Sequence, residues 1–373
     1  MDLFAAHWRP AASAIVERDG ALVEVSVEAP KTYRGFVDCL TESSLGGSLV
    51  NHQLRLMIDM GELGSYGVQP VSDFIPDANA DMHVVYATQD SATDDTWTCG
   101  AEGVDFNFGE LQGAHDHGDG DNGVAGSDKT AEIAFDMDNE FFTRRGSAQA
   151  CIDDIEAIVA GMDVIYERDV NICHTITTII IRDTANDPYS GTDAETILTQ
   201  FQNHWNSQQG GVQRDLAHMM AGRSRDGGIL GIAYLSVVCN RGSAYGVSWT
   251  LFTANMTQRI ALTAHEAGHN WGAPHCCGGC SGCSDCRIMC PCLGGCSGIL
   301  TSFGTAEKNA ITSFRNSRTC LVDGCNGGGG GGGVPCADVK ALKAKCRANG
   351  TIKGKVILNT IFHDGENVTV AID

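Results

Sequence analysis

The central part of this 373-residue chain is predicted to have an α/β fold with a largely parallel sheet. Residues 131–135 (AEIAF) and 176–181 (ITTIII) are short apolar or β-branched runs that are typical of buried strands. Residues 148–168 instead carry apolar side chains at helical spacing. A second helical pattern at 194–206 is followed by another strand pattern at 231–238 (GIAYLSVV). Strands that alternate with helices predict parallel pairing with helices packed on the sheet.

The segments on either side of this part differ from it in composition. Residues 1–112 contain alternating stretches such as 21–27 (ALVEVSV) and 82–87 (MHVVYA), which indicate β structure. Two glycine-rich stretches have almost nothing to bury. We therefore expect a β-rich domain at 1–112, a flexible linker at 113–128, the α/β domain at 129–325, a glycine spacer at 326–333, and a small partial β module at 334–373 with a short helix between Cys336 and Cys346.

The charge of the chain limits the kinds of partner that it can bind. Acidic residues outnumber basic ones by 46 to 25, and the net charge of −21 repels phosphate backbones and anionic headgroups. No apolar run approaches the roughly 20 residues that cross a bilayer. We therefore expect neither a nucleic-acid partner nor a membrane span.

Seventeen cysteines indicate an oxidising compartment and a disulfide framework, so we expect a secreted protein. The first ten residues (MDLFAAHWRP) lack the apolar core of a signal peptide. We therefore expect the true N-terminus to lie upstream of this start.

The most informative stretch is HEAGHNWGAPH, residues 265–275. Residues four apart on a helix lie on one face about 6 Å apart, so His265 and His269 can reach one metal ion. Gly272 can adopt the positive φ that turns the chain back and brings in His275 as a third ligand. Three imidazoles leave one tetrahedral position of a zinc ion open for water, which is typical of catalytic sites.

Glu266 follows the first histidine, where its carboxylate can take a proton from a water molecule that zinc activates. This arrangement predicts hydrolysis of internal peptide bonds with one catalytic Zn²⁺ and Glu266 as general base. HExxH alone is a weak signal. The added glycine and third histidine make it specific, and a surface helix with incidental histidines does not explain their spacing.

The motif resembles the metzincin signature H-E-x-x-H-x-x-G-x-x-H, which is followed by a methionine turn. Met289 in CRIMC is the expected methionine and implies a structural floor beneath the metal. Residues 215–223, 231–239 and 245–249 are similar to segments of the reprolysin or ADAM group, and the resemblance covers about residues 128–323. It implies a metzincin-type zinc protease domain with a twisted, mostly parallel sheet.

The resemblance carries further implications for single residues. It implies a disulfide between Cys239 and Cys320, and it places the strand near residues 231–238 at the edge that binds substrate. An extended peptide could pair there with the sheet edge. One position departs from the group's pattern: Cys276 follows the third histidine, where reprolysins usually have aspartate.

Eight cysteines crowd into residues 276–296. Their CxxC spacings fit either a second, thiolate-bound zinc or a disulfide-stapled loop, and the oxidising compartment favours disulfides. His115 and His117 in the linker could also bind metal, although solvated linker residues are the simpler interpretation.

Cys99 lies in TWTCGAEG, upstream of the linker. A thiolate delivered to the open zinc position would displace water and keep the enzyme latent, so residues 1–112 could be a prodomain that inhibits its own enzyme. Prodomains of the ADAM group contain a similar Cys-Gly segment. A disulfide with Cys39 is the alternative.

The sequence therefore predicts a secreted zinc endopeptidase with a zymogen form, which acts on proteins or peptides. One alternative is a catalytically inactive, reprolysin-like binding or adhesion protein. The other is a cysteine-rich metal-storage protein. An inactive relative typically lacks the glutamate or a histidine, and this chain has all of them.

Overall fold

The computed structural model describes residues 8–18, 20–26, 31–37, 40–79, 81–91, 98–100, 128–225, 227–279, 286–293, 298–325, 339–346, 352–358 and 367–371. The expected linker up to residue 127 and the glycine spacer lie outside these ranges, and so do His115, His117 and Cys39. For residues 8–12, 40–42 and those after 325, only the backbone is described.

The elements follow one another along the chain in three groups. The first group is β1 Trp8–Arg18, β2 Ala21–Val25, β3 Thr32–Val37, β4 Leu40–Val50, β5 Gln53–Asp59, β6 Ser65–Pro70, β7 His83–Ala87 and β8 Thr98–Cys99. The second is β9 Lys129–Met137, α1 Asn139–Arg145, α2 Ala148–Val170, β10 Ile172–Arg182, α3 Ala194–Gln208, β11 Leu216–Met220, β12 Ile229–Ala233, β13 Tyr245–Ser248, α4 Met256–Asn270, α5 Thr305–Asn316 and β14 Val322–Asp323. The third is β15 Val339–Cys346, β16 Ile352–Leu358 and β17 Asn367–Ala371.

The largest sheet has the order β2-β1-β10-β9-β11-β13-β12-β8, with β14 beside β9. The neighbours β1 and β10, β10 and β9, β9 and β11, β11 and β13, and β12 and β8 are parallel. The strand β12 runs antiparallel to β13. The predicted α/β fold with a mostly parallel sheet is confirmed. Every residue of β10 is buried, which explains its near-continuous apolar sequence.

The N-terminal region does not form a single separate unit. Strands β3 to β7 make their own antiparallel five-stranded sheet. In contrast, β1 and β2 extend one end of the large sheet, and β8 adds to its other end. The β-rich region expected at 1–112 gave no indication of this pairing, because strands more than 100 residues apart in sequence are brought together only by the tertiary fold.

The C-terminal strands β15, β16 and β17 form a three-stranded antiparallel sheet. The expected short helix between Cys336 and Cys346 is wrong, because Val339–Cys346 is a strand. Cross-strand pairing has overridden a weak local helix preference. Among the described residues, no helix combines the length and the apolarity that crossing a membrane requires.

Helix α4 lies in the centre of the molecule, and all of its residues are buried. Its N-cap is Asn255, whose side chain accepts a hydrogen bond from the Gln258 amide. On one side, the Tyr166 hydroxyl of α2 donates to the Ala264 carbonyl at 2.8 Å. On the other side, the Asn270 amide donates to the carbonyls of Tyr234 and Tyr245 at 2.8 and 3.0 Å. These bonds fix the helix between α2 and the sheet.

A buried ion pair also joins α2 to α4. The Arg259 guanidinium binds both carboxylate oxygens of Asp154, and its Nε donates to the Thr250 carbonyl at 3.0 Å. Burial alone would raise the pKa of Asp154, but the nearby Arg259 and Arg145 hold it below its usual value. The ionised carboxylate therefore stabilises the fold at neutral pH, and this contribution is lost as the pH falls below about 4.

We expect Asp154→Ala to lower the free energy of unfolding by about 3–5 kcal/mol, because it leaves the Arg259 charge buried without its partner. Urea denaturation followed by tryptophan fluorescence would measure this loss. The neighbouring Asp153 is a matched control, since its contact with Lys31 is 3.8 Å long and lies nearer the surface. Asp153→Ala should cost less than about 1 kcal/mol. Equal losses in the two variants would contradict the role of the buried pair.

Candidate metal centre

Two turns of α4 and the chain that follows bring three histidine rings together. His265 and His269 are buried on one face of the helix. The chain then leaves the helix at Gly272, whose φ is +92°. Its amide donates to the His269 carbonyl at 2.8 Å, and the Ala273 amide donates to the Gly268 carbonyl at 2.9 Å. The positive φ predicted for Gly272 is confirmed, and it carries His275 back toward the helix.

The three Nε2 atoms form a nearly equilateral triangle. They are 3.1 Å apart between His269 and His265, 3.2 Å between His269 and His275, and 3.3 Å between His265 and His275. Nitrogen ligands about 2.0–2.1 Å from one tetrahedral zinc ion lie roughly 3.3 Å from each other. The triangle therefore has the size that such an ion requires.

Backbone carbonyls orient the two helical rings. The Nδ1 atom of His265 is 2.6 Å from the Ile288 carbonyl, and that of His269 is 2.8 Å from the Ala273 carbonyl. A carbonyl only accepts hydrogen bonds, so each Nδ1 carries the proton and each Nε2 keeps its lone pair. Burial, followed by the neighbouring rings, lowers the pKa of His265 well below its usual value and that of His269 to about 3. Both rings are therefore neutral, as metal ligands must be.

The Glu266 carboxylate is fully buried beside the three rings. Its Oε1 atom has no hydrogen-bond partner among the described residues. A Cβ atom on Gly231 of β12 would lie 2.2 Å from that oxygen, so only glycine lets the edge strand pass so close. Burial raises the pKa of Glu266 to about 8, although the Cys99 thiol lowers it in part. A buried carboxyl oxygen without a hydrogen-bond partner is typical of a functional site.

Met289 packs beneath the helix at this point. Its side chain is fully buried, and its Sδ atom lies 2.8 Å from where a Cβ atom on Gly268 would be. Because Gly268 has no side chain, Met289 can approach α4 and its histidine rings closely.

Cys99 lies at the same point, although it is far from the histidines in sequence. Its Sγ is 3.5 Å from Nε2 of His269 and 3.5 Å from Oε2 of Glu266. It forms a four-ligand group with the three histidines, in which all ligand atoms lie within 4.8 Å of one another. The sulfur is not in a disulfide. Cys39, the alternative partner, lies outside the described residues.

Backbone pairing of β8 positions this sulfur, and no local sequence pattern predicted that pairing. The Thr98 amide donates to the Gly228 carbonyl at 2.9 Å, and the Gly100 amide donates to the Gly231 carbonyl at 2.8 Å. On the other side, the Cys99 amide donates to the Pro291 carbonyl at 2.8 Å. The chain's own segment thus lies along the edge of β12, which the sequence resemblance associated with substrate.

Disulfides surround the site. The expected bridge between Cys239 and Cys320 is confirmed, and Cys173 pairs with Cys325. Within the cysteine-rich stretch, Cys276 pairs with Cys286 and the Cys276 amide donates to the Met289 carbonyl at 3.1 Å. The residue that replaces the usual aspartate thus ties the third histidine to the methionine turn. The other cysteines of the stretch that lie in the described ranges, Cys277, Cys290 and Cys292, are also disulfide-bonded, which favours the stapled loop.

Comparisons with known proteins find similarity to metallopeptidases. Residues 127–300 match the reprolysin-type model of metallo-peptidase family M12. The chain is similar to disintegrin and metalloproteinase domain-containing protein 10 of Homo sapiens and of Bos taurus, with 27% identity over 173 residues. Each match covers 39% of this chain and only 23% of the relative. The crystal structure of metalloproteinase-II from Bacteroides fragilis aligns with 81% of this chain and 84% of its own, at 11% identity and a TM-score of 0.47.

The matched segment contains the three histidines, Glu266, Gly272 and Met289, and its central sheet is the predicted one. Residues 127–300 are therefore similar to the reprolysin- and ADAM-like metzincins of metallopeptidase family M12.

Proposed function

We propose that the chain is a secreted zinc endopeptidase that is made as a latent zymogen. The observation that carries the proposal is the triangle of three Nε2 atoms with the buried Glu266 carboxylate beside it, whose Oε1 atom has no hydrogen-bond partner among the described residues. The match of residues 127–300 to family M12 adds that a metal-dependent peptidase is the expected use of such a site. His265, His269 and His275 would hold one Zn²⁺ ion.

The chemistry assigned to this chain's residues follows from their positions. A zinc ion bound at the triangle would act as a Lewis acid toward the scissile carbonyl. Glu266 would take a proton from the attacking water and deliver it to the leaving amine. The edge of β12 would pair with the extended backbone of the substrate and align its scissile bond with Glu266. Met289 would support the histidine layer from below and take no part in the chemistry.

Cys99 is proposed to hold the precursor latent. Its thiolate would take the ligand position that water needs, and β8 would occupy the strand edge that substrate needs. Both blocks would be applied by one three-residue segment, 98–100. The 3.5 Å contacts of Cys99 with His269 and Glu266 support this role.

We infer a chain of five segments and an extracellular location. Residues 1–112 would be the inhibitory prodomain, 113–128 the linker where it is cut, and 129–325 the catalytic domain, while 326–333 and 334–373 would be a spacer and an accessory β module. The disulfides support an extracellular location. Protein or peptide substrates are inferred from the family match and from the edge of β12, which could pair with an extended peptide backbone.

We expect Glu266→Gln to reduce peptide hydrolysis by about 10²–10⁴-fold, because the amide cannot accept the proton. The comparison is made in full-length protein that carries Cys99→Ala, with a quenched fluorescent peptide library as substrate. Zinc content should stay near one ion per chain, since Glu266 is not a ligand. Glu195→Gln, at an exposed carboxylate in the first turn of α3, is the control and should leave hydrolysis unchanged. Equal hydrolysis with and without Glu266 would support the non-catalytic alternative.

We expect Cys99→Ala alone to raise the activity of the uncut chain by about tenfold or more, because a tethered ligand at millimolar effective concentration keeps most sites blocked. Initial rates on the same peptides, at matched zinc content, would measure the change. Cys151→Ala is the control, since Cys151 is the other described thiol and lies buried on α2. A Cys99→Ala chain that is no more active than the parent would rule out the latency role.

A further inference from the structure

The N-terminal region contacts the catalytic part of the chain at two places of very different size. We call residues 98–100 the latch and strands β1 to β7 the anchor. The latch is held by three backbone hydrogen bonds, to Gly228, Gly231 and Pro291, and by the contacts of the Cys99 sulfur. The anchor covers the edge of β10 and a face of α2, and its residues Gln69 and Tyr86 also bind residues 254–257 at the start of α4.

The first part of the anchor is the pairing of β1 with the edge of β10. The parallel ladder runs from Ser13 opposite Thr178 to Glu17 opposite Arg182. Ala14 and Val16 are 0% and 7% exposed, and they contribute to the main hydrophobic core. Without β1, the β-branched strand β10 would present an unpaired edge, which soluble proteins usually cover. The strand β1 is thus a structural complement of the catalytic sheet.

Charges fix the end of this ladder. Glu17 forms an ion pair with Arg182, whose side chain is 1% exposed and which also binds Asp136. One residue further, the Arg18 Nε donates to the Asp183 carboxylate at 2.9 Å. The edge of β10 therefore fits a strand that is apolar at two alternate positions and then acidic. That pattern selects a specific register, since a shift by one residue would move the Glu17 carboxylate away from Arg182.

The second part of the anchor is the packing of β3 and β4 on α2. A Cβ atom on Gly46 would lie 2.3 Å from the Ala160 carbonyl oxygen, so strand and helix are in direct backbone contact. Arg34 of β3 binds both Asp163 and Glu167 of α2. Between strand and helix, Arg168 is 3.0 Å from Asp59. These contacts join residues of β3, β4 and β5 to α2.

We propose that the edge of β10 is a binding surface for the strand at residues 13–17, and that it retains β1 to β7 as a separate bound polypeptide after cleavage within 101–127. A single cut there would not open the active site, because the anchor keeps the latch at a high local concentration beside β12. Opening the site requires loss of the anchor, or a second cut that separates the latch from it. The inference rests on the proposed latency of Cys99.

The test uses the full-length chain with an N-terminal affinity tag and a recognition sequence for a site-specific protease within 113–127. A second version carries another recognition sequence within 92–97. After one cut and dilution to nanomolar concentration, we expect the catalytic part to co-purify with the tag and hydrolysis to rise less than about twofold. After both cuts, the catalytic part should still co-purify with the tag, whereas hydrolysis should rise about tenfold or more.

Matched substitutions distinguish the loss of binding by the anchor from general effects of mutation. Val16→Asp places a charge in the buried ladder, whereas Val23→Asp places the same charge on the opposite residue of β2, which is 54% exposed. After one cut, only Val16→Asp should release the catalytic part and raise hydrolysis. If Val16→Asp does not fold, Glu17→Lys tests the same surface through Arg182, with the exposed Glu24→Lys on β2 as its control. Circular dichroism before cutting verifies the fold of each variant.

Two results would overturn the inference: separation of the once-cut parent into its pieces, or retention by Val16→Asp and Glu17→Lys that equals that of the controls. Full hydrolysis by a once-cut chain that still co-purifies would also contradict it. If co-purification follows the expected pattern but no version hydrolyses peptide, the binding surface stands and the proposed peptidase function fails.

Discussion

The structure depends on one constraint: three imidazole nitrogens must be held within 3.3 Å of each other inside the protein. Lone pairs that face each other at this distance repel unless a cation lies between them. Backbone carbonyls orient the two helical rings so that the constraint is satisfied. Nδ1 of His265 donates to the Ile288 carbonyl, and Nδ1 of His269 donates to the Ala273 carbonyl. The first carbonyl belongs to the methionine turn, so the turn orients a ring as well as supporting the layer.

Burial of the whole of α4 makes this precision possible. A helix that is buried on every face cannot rotate without breaking contacts on several sides, and polar groups on it need internal partners. The Asp154 carboxylate, the Tyr166 hydroxyl and the carbonyls of Tyr234 and Tyr245 supply them. The ion pair that joins α2 to α4 and the amide that joins α4 to the sheet thus contribute to the site from a distance.

The N-terminal region is an integral part of the fold, because its strands β1, β2 and β8 belong to the catalytic sheet. The anchor extends the catalytic sheet at β10, and the latch extends it at β12, so one polypeptide segment closes both edges. One edge carries a long buried ladder, and the other carries three backbone bonds beside the histidines. The difference in size gives the two contacts different roles, since structural complementation needs many contacts and a block of the site needs few.

Much of the site followed from local sequence patterns. The spacing in HEAGHNWGAPH predicted the shared helix face and the positive φ of Gly272, because both depend on residues close in sequence. Periodicity predicted α2 to within two residues at its end, and the resemblance predicted the bridge from Cys239 to Cys320. The pairing of β1 with β10 and the path of β8 along β12 could not be predicted, since they join residues more than 100 positions apart and neither strand carries a mark of its partner.

The most direct test of the central claim is zinc K-edge X-ray absorption on the uncut, zinc-loaded protein. Three histidines and the Cys99 sulfur around one ion should give a first shell of three nitrogens at about 2.0–2.1 Å and one sulfur at about 2.3 Å. A shell made only of sulfur would place the metal in the cysteine-rich stretch and would contradict the assignment of His265, His269 and His275.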